Sequence, residues 1–511
     1  MNRKQPMKAT RMAGARTLSP ETPCSVGWKS SLLRSPDLLR ALTGAVLSLC
    51  ALAPLAHGTD ETLRTKTQPV AGVPGAVVVK ENGFWCWIQD PRVMVTSNGQ
   101  IILNSVSGAT YGGFTAGDIW ATAWKPGSAE ALHSKLSSQI RPDRPDDHDA
   151  GGMLELPDGR ILVVYGGHSV DNLQRWRITR QPRDIAGWSP ESTLDVGARY
   201  SYSNVYRLEA EDGRIYNFTR SIDWDPNAIV SDDDGETWRP AWRLVAWGPE
   251  DIQGDPRTGT SDMGKGRPYP RYASNGKDTI HFIMTDDHPV AYASSVYHGF
   301  YRGGKLHDSF GNVVGETGDS AKTDCKPRSF TEIFKGSDEL NGWVVDLELD
   351  AKGYPRAVFQ AGDLKKGGDP ETSTFRYYYA AFDGKTWHVH PMAHAGSRLY
   401  PGQPAYTGLA AIDPDAPDTV VISTNAHPET GQPLVSEADG KTHWELFRGV
   451  TRDLGQSWEW AALTANSTAN NLRPVIPANP GGERIIAWGR GTYPDFRSYR
   501  MDICLLTEKR D

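Results

Sequence analysis

The densest set of side chains able to move protons is Asp146-Asp147-His148-Asp149, answered by His168 after Gly166-Gly167. Between them, Met153 to Tyr165 (MLELPDGRILVVY) reads as strand, Asp-Gly turn, strand. The two His therefore stand at the outer ends of an antiparallel hairpin and are expected to meet at one edge of one sheet. Either His alone would read as the hydrogen-bond partner of a loop; paired at the open end of a hairpin, they read as acid–base chemistry. A second group follows. Tyr200-Ser-Tyr-Ser-Asn-Val-Tyr206 alternates like a strand, turns at Asp212-Gly213 and returns through Arg214 to Arg220, which brings Tyr202 or Asn204 beside Arg220. Farther on, Lys265-Gly-Arg-Pro-Tyr-Pro-Arg-Tyr272 packs three cations and two Tyr into eight residues, a mixture suited to grasping a carboxylate or sulfate while stacking on a sugar ring. Together these groups describe a β-elimination. Arg and protonated His neutralise a uronate carboxylate, a His or Tyr removes the acidified C5 proton, and a Tyr or His protonates the departing O4. Hydrolysis by two carboxylates is harder to place, because the acids fall mostly in turns where Asp is expected structurally. The sequence shows no metalloprotease, phosphate-loop or Ser-nucleophile signature.

Such residues need a scaffold that brings distant segments to one mouth. From Val77 onward, short β-branched or aromatic runs such as Arg160 to Tyr165, Thr279 to Met284 and Thr419 to Ser423 are separated by Gly, Asp and Asn turns, and no helical stripe competes with them. Ser231-Asp-Asp-Asp-Gly-Glu-Thr-Trp238 and Thr451-Arg-Asp-Leu-Gly-Gln-Ser-Trp458 both fit Ser/Thr-x-Asp-x-Gly-x-Ser/Thr-Trp, the Asp-box, with a weaker echo at Phe382 to Trp387. In this motif Asp caps backbone donors, Gly takes the positive-φ position and Trp plugs between sheets. Repetition of the motif in an all-strand chain points to an all-β, seven-bladed β-propeller over residues 77–511 as one domain, with six or eight blades as alternatives.

Residues 1–58 differ from the rest. A basic stretch precedes Leu38 to Ala56 (LLRALTGAVLSLCALAPLA), and small residues lead into Thr59-Asp60-Glu61. That order predicts a signal peptide and leader cleaved near Gly58, hence a secreted or periplasmic protein and no membrane anchor. Cys86, Cys325 and Cys504 would remain in the mature chain, too few for a disulfide scaffold although one bridge could form. The net charge of -7, with mixed signs throughout, excludes the basic footprint of a nucleic-acid binder. An acidic polysaccharide partner and a monomer are expected.

Four stretches resemble the BNR-repeat propeller family that contains the ulvan lyases of polysaccharide lyase families 24 and 25. They are Glu81 to Arg92 (ENGFWCWIQDPR), the His148–His168 hairpin, Arg267 to Gly276 with Thr285-Asp-Asp-His-Pro289, and Asn471-Leu-Arg-Pro474. The resemblance implies a seven-bladed propeller that cleaves beside a uronic acid in a sulfated, rhamnose-containing polysaccharide. By it, His148 is the base, Tyr202 the acid, with Tyr200 and Tyr206 as neighbouring candidates, and Arg220 the carboxylate partner, helped by His168 and by Tyr269 or Tyr272. Arg267, Tyr269 and Tyr272 would bind substrate. The chemistry requires no cofactor. Some relatives hold a metal away from the reaction centre, and His288, His298 and Cys325 could supply ligands for a structural zinc or calcium. A propeller glycoside hydrolase, sialidase-like or specific for rhamnose–glucuronate linkages, and a non-catalytic glycan-binding propeller are the competing readings.

Overall fold

The computed structural model describes residues 60–510 apart from 139, 142–143, 253–265, 290–292, 319–322, 338, 363–374, 402 and 404. The leader at residues 1–58 and Lys265 of the cationic motif lie outside the described residues. Gly and Asp turns recur too often for long helices to form, and among the described residues helix is confined to single turns such as Pro249–Ile252. The strands gather into seven antiparallel sheets, the blades of a seven-bladed β-propeller. Among the described residues no helix is long and apolar enough to cross a membrane.

Blade 1 is built on Val93–Val95, Ile101–Val106, Ile119–Trp124 and Glu130–Ser137, and blade 2 on Gly152–Glu155, Ile161–Tyr165 and Leu173–Gln181. Blade 3 holds Ser201–Leu208, Arg214–Arg220, Pro226–Ser231 and Arg239–Arg243; blade 4 holds Tyr269–Ser274, Thr279–Thr285 and Val296–Arg302. Blade 5 begins at Asn341–Leu349 and ends at Trp387–Gly396, and blade 6 runs from Ala410–Ile412 to Glu459–Ala462. Blade 7 joins the C-terminal strands Asn470–Val475, Arg484–Asp495 and Ser498–Glu508 to the early strand Val77–Lys80, with Val77 opposite Leu505 and Val78 opposite Cys504. First and last segments thus share one sheet, which removes the open edge a linear array of blades would leave. Two strands upstream of Val77 also join sheets: Thr62–Lys66 pairs with Glu130–Ser137, and Gln68–Pro69 with Val77–Lys80.

The two Asp-boxes are superimposable in their bonding. Asp233 accepts from Ser231 Oγ, Thr237 N and Thr237 Oγ1 at 2.9, 2.8 and 2.6 Å; Asp453 accepts from Thr451 Oγ1, Ser457 N and Ser457 Oγ at 2.9, 2.9 and 2.6 Å. Gly235 and Gly455 take φ of 87° and 92°, a region costly for any residue with a Cβ. Trp238 packs on Trp176 of blade 2 and Trp458 on Tyr379 of blade 5, so each box rivets its blade to the preceding one. The echo at Asp383 is a simpler turn. Its Trp387 instead donates its indole N–H to Ser309 Oγ of the blade 4 region at 2.9 Å.

The motif Glu81 to Arg92 fills the middle of the ring. Gly83 N donates to Met501 O of blade 7, Phe84 N to Val106 O of blade 1, Cys86 N to Asp147 O ahead of blade 2, and Asp90 N to Ser203 O of blade 3. Arg271 of blade 4 reaches Asp90 Oδ2 at 2.7 Å, and Trp87 Nε1 donates to Val344 O of blade 5 at 3.2 Å. One short segment can touch six blades only where their innermost strands converge, and Phe84 to Gln89 are all buried there. The plug supplies a solid floor beneath one mouth. Cys86, Cys325 and Cys504 are free and buried, so packing rather than a disulfide holds the ring.

Candidate active site

The hairpin geometry places the His pair. Gly152 pairs with Val164 and Glu155 with Ile161, a register that, carried outward, sets position 148 opposite position 168. The outgoing chain is fixed by a single helical turn, Asp147–Asp149, capped by Asp146, whose side chain accepts from His148 N. The returning chain leaves through Gly166, where a Cβ would stand 2.4 Å from the Tyr200 ring. The two imidazoles stack with centroids 4.3 Å apart and planes at 14°.

Hydrogen bonds assign their protons. His168 Nε2 lies 3.4 Å from Arg220 Nη2, and a guanidinium can only donate, so Nε2 accepts and the proton resides on Nδ1, which donates to Asp146 Oδ2 at 3.2 Å. His168 is thus the neutral partner. Burial, the charge of His148 and that of Arg220 push it down to about 4 against the pull of Asp146. His148 Nδ1 donates to Asp146 Oδ1 at 2.8 Å and lies as close to Asp147 Oδ1, an ion-pair contact. Burial opposes its charge, but Cys86, Asp147 and Asp146 outweigh burial and hold His148 well above the ordinary His range. With Nδ1 committed to carboxylates, Nε2 is the ring nitrogen of His148 left for proton exchange. Asp149, buried beside Asp146, is pushed up to about 8 and accepts from His168 N at 2.6 Å, a structural use.

A β-bulge delivers the Tyr. Ser201 pairs with Arg220 and Asn204 with Phe218, so Tyr202 and Ser203 together oppose Thr219. Tyr202 adopts φ of 68°, a strained backbone for a residue with a side chain, and its ring turns to within 5.9 and 5.7 Å of the His148 and His168 rings. Burial raises its phenol above the ordinary Tyr range and keeps it protonated. The neighbouring candidates are used elsewhere. Tyr200 is buried with its hydroxyl on Ser203 Oγ and Asn217 Nδ2, Tyr206 donates to Tyr272 O, and Asn204 Nδ2 bonds Phe218 O.

Arg220 ends its strand at the same mouth. Its Nη1 donates to Tyr269 OH at 2.8 Å, and its guanidinium lies 4.8, 5.3 and 5.3 Å from the Tyr202, Trp224 and Tyr269 rings. Arg267 sits at the rim, 6.0 Å from the same Trp224 ring. Tyr269 and Tyr272 are separated by strand alternation: Tyr269 faces the mouth, whereas Tyr272 is 2% exposed and stacked on Phe218 between blades 3 and 4. Tyr272 is therefore a packing residue and not the substrate contact expected for it.

The ligand set expected for a metal does not converge. His288 packs against Tyr269 and Trp343 beneath the mouth, and burial with Arg267 and Arg220 pushes it down to about 3. His298 bonds Ser309 Oγ and His281 and packs on Trp387 toward blade 5, while Cys325 lies in the core between blades 3 and 4. His298 and Cys325 thus occupy opposite faces of blade 4 and cannot share an ion with His288. Among the described residues, the groups with metal-ligating atoms close together are Cys86–Asp147–His148 and Asp146–His148–His168, which form the hydrogen-bonded His network itself.

Three partners escaped the sequence reading because they come from blade 7. Arg473 Nη1 bonds Asp147 Oδ2 and Trp85 O, each at 2.5 Å, and Arg473 Nη2 meets Tyr493 OH at 2.6 Å, while Tyr493 OH donates to Asp147 Oδ2 at 2.6 Å. Phe496 meets His148 edge-on at 4.9 Å. Arg473 belongs to the Asn471-Leu-Arg-Pro474 motif, whose signal was a cation without an assigned partner. The assembled mouth offers a strong imidazole base, a neutral phenol and a caged guanidinium around one opening, the parts required to acidify, remove and return a proton.

No curated protein matches this sequence. Among solved structures, a polysaccharide lyase family 25 ulvan lyase bound to -[GlcA(1-4)Rha3S]- aligns with a TM-score of 0.57 at 16% identity, covering 84% of this chain and 96% of that chain. The polysaccharide lyase Uly1 aligns with a TM-score of 0.52 at 9% identity, over 87% and 100%. At such identities the likeness is one of fold. Residues 115–395, more than half of the 511, match the family described as BNR repeat-containing family member, and by that match this propeller belongs to the BNR repeat-containing family.

Proposed function

We propose that the protein is a lyase that cleaves a uronate-containing, ulvan-like acidic polysaccharide by β-elimination. The observation that carries this reading is the convergence on Arg220 of Tyr269 OH and the neutral His168, next to the stacked, carboxylate-held His148 and the Tyr202 ring. Arg220, whose charge the surroundings preserve, pairs the substrate carboxylate, the Tyr269 hydroxyl donates to the same carboxylate, and His168 holds the guanidinium by accepting from its Nη2. Neutralising that carboxylate lowers the barrier to forming the enolate-like intermediate at C5. His148 then takes the C5 proton at Nε2. The released electron pair forms the C4=C5 double bond as the C4–O4 bond breaks, and Tyr202 gives its proton to O4. His148 is preferred over His168 as base because two carboxylates make it the more basic ring, whereas the His168 lone pair is weakly basic and occupied by Arg220. The ulvan lyase whose fold this chain shares was solved with a glucuronate–sulfated rhamnose oligomer, which supports the choice of substrate class. A polymer of that kind is met outside the cytoplasm, in keeping with the leader read in residues 1–58.

Incubating the purified protein with a panel of uronate polymers tests the reading. Near-ultraviolet absorbance from unsaturated uronate is the expected result. New reducing ends without that absorbance would mean hydrolysis, and binding without any new ends would mean a glycan-binding module.

A further inference from the structure

Beyond His148 lies a groove that the elimination chemistry leaves unused. Arg220 touches His168, His168 stacks on His148, and His148 meets the edge of Phe496, which forms a wall of the groove together with Arg144, Tyr400, Gln403, Pro494 and Arg497. Its volume of about 460 Å³ is that of a ligand cleft. Its lining has the composition of a built site. Phe496 is only half-buried, and the Arg497 guanidinium covers its ring at 4.4 Å. Arg497 Nε reaches Asp146 Oδ2 at 3.3 Å, while its two Nη atoms make no hydrogen bond or ion pair among the described residues. Tyr400, 5% exposed, holds its hydroxyl buried without a hydrogen-bond partner among the described residues, and so does Gln403 with its Oε1. Buried polar atoms are rarely left so unless a ligand or water supplies the missing bond. Among the described residues that line the groove, two are cations, Arg144 and Arg497, and one is an acid, Asp495.

The geometry points to a second anionic-sugar subsite here: the unit adjoining the uronate packs on Phe496, and the next anionic substituent along the chain pairs with Arg497 and Arg144. Sugar hydroxyls donate to Gln403 Oε1 and bond the Tyr400 hydroxyl. The inference rests on the glycan-cleaving reading of the neighbouring mouth. The shared ligand chemistry is an anionic group on a pyranose, a sulfate ester or a uronate carboxylate, and an aromatic ring with a fork of N–H donors suits either.

Binding measured by calorimetry on the whole protein carrying His148→Ala, so that no ligand is consumed, tests the subsite. The probes are a sulfated uronate oligosaccharide of several repeats, an unsulfated uronate oligosaccharide of equal length, and a disaccharide with one uronate. Adding Arg144→Gln, a change at an exposed side chain, is expected to weaken the long sulfated probe roughly 5- to 20-fold and to flatten its salt dependence, with the disaccharide unaffected. Loss confined to the sulfated probe identifies sulfate as the group bound; equal loss for both long probes identifies carboxylate. Unchanged affinity for both long probes, or equal loss for the disaccharide, overturns the subsite. The two readings fail separately: elimination products with no effect of Arg144→Gln remove the subsite alone, and an intact Arg144→Gln effect in a protein that makes no unsaturated product removes the lyase alone.

Discussion

His148 and His168 stack at 4.3 Å with their Nδ1 atoms turned to the two oxygens of one carboxylate, Asp146 Oδ1 at 2.8 Å and Oδ2 at 3.2 Å. Two imidazolium rings at that separation would repel strongly, so the shared carboxylate supports one charge, and the environment decides which ring carries it. Asp147 lies on the His148 side and Arg220 on the His168 side, so the charge belongs to His148. A pair of identical residues is thereby split into a strong base and a weak one.

The pH dependence follows from that split. A base must start unprotonated, and His148 is held well above the usual His range, so kcat/KM should rise with pH through neutrality and level off only in the alkaline range. The Tyr202 phenol, raised by burial, stays protonated across the same window and imposes no early fall. Asp147→Asn removes one of the carboxylates that support the charge and should move the rising limb to lower pH. A profile already flat from about pH 5 upward would instead make His168, poised near 4, the base.

Arg220→Ala should lower kcat/KM by roughly 10²- to 10³-fold with the circular dichroism of the fold retained, because the lost group stabilises charge that develops in the transition state. Tyr269→Phe removes the hydroxyl that Arg220 Nη1 bonds at 2.8 Å and should lower kcat/KM less severely. Activity of Arg220→Ala on a substrate whose uronate is esterified separates the roles: a carboxylate-neutralising Arg is dispensable where the carboxylate is already neutral.

Tyr202→Phe deletes one hydroxyl, to which no hydrogen bond is made among the described residues, and keeps the ring that packs against the His pair. Stability should therefore hold within about 0.5 kcal/mol while turnover falls by roughly 10²- to 10⁴-fold, the usual contribution of a general acid. A substrate with a good leaving group at O4 needs no acid, so its cleavage should be largely spared in the variant. Equal losses on both substrates would assign the acid elsewhere.

What the sequence disclosed is what strand periodicity carries. The Asp-Gly turn fixed the hairpin register and with it the meeting of positions 148 and 168, and the Asp-boxes fixed the blade type. Alternation alone would also have separated Tyr269 from Tyr272, and Tyr297, which packs between blades 3 and 4, from His298 on the opposite face. Ligand types without that alternation give no convergence, which is why His288, His298 and Cys325 lie apart. The bulge at Tyr202 leaves no local trace, and the motif around Arg473 does not name its partner, since Asp147 and Arg473 meet across 326 residues of chain through ring closure. The same closure explains the aromatic run at Glu81 to Arg92, a chemical-looking motif whose residues serve as the floor of the ring.

Arg473 offers the sharpest test of how that floor supports the chemistry. It is 1% exposed, adopts φ of 51°, and joins the plug at Trp85 O to Asp147 and Tyr493. Removing one partner of a buried ion pair leaves the other charge uncompensated, so Arg473→Met should destabilise the fold by about 3–5 kcal/mol, read as a lowered denaturant midpoint. With the Arg473 charge gone, Asp147 pulls more strongly on the His148 proton, and the alkaline shift of the pH–rate limb should grow. Arg473→Lys keeps the charge but cannot reach Trp85 O, Asp147 and Tyr493 with a forked group, so it should restore the limb while recovering only part of the stability. A limb that does not move in Arg473→Met, in protein that remains folded, would show that Asp147 answers to the plug for position alone and not for charge.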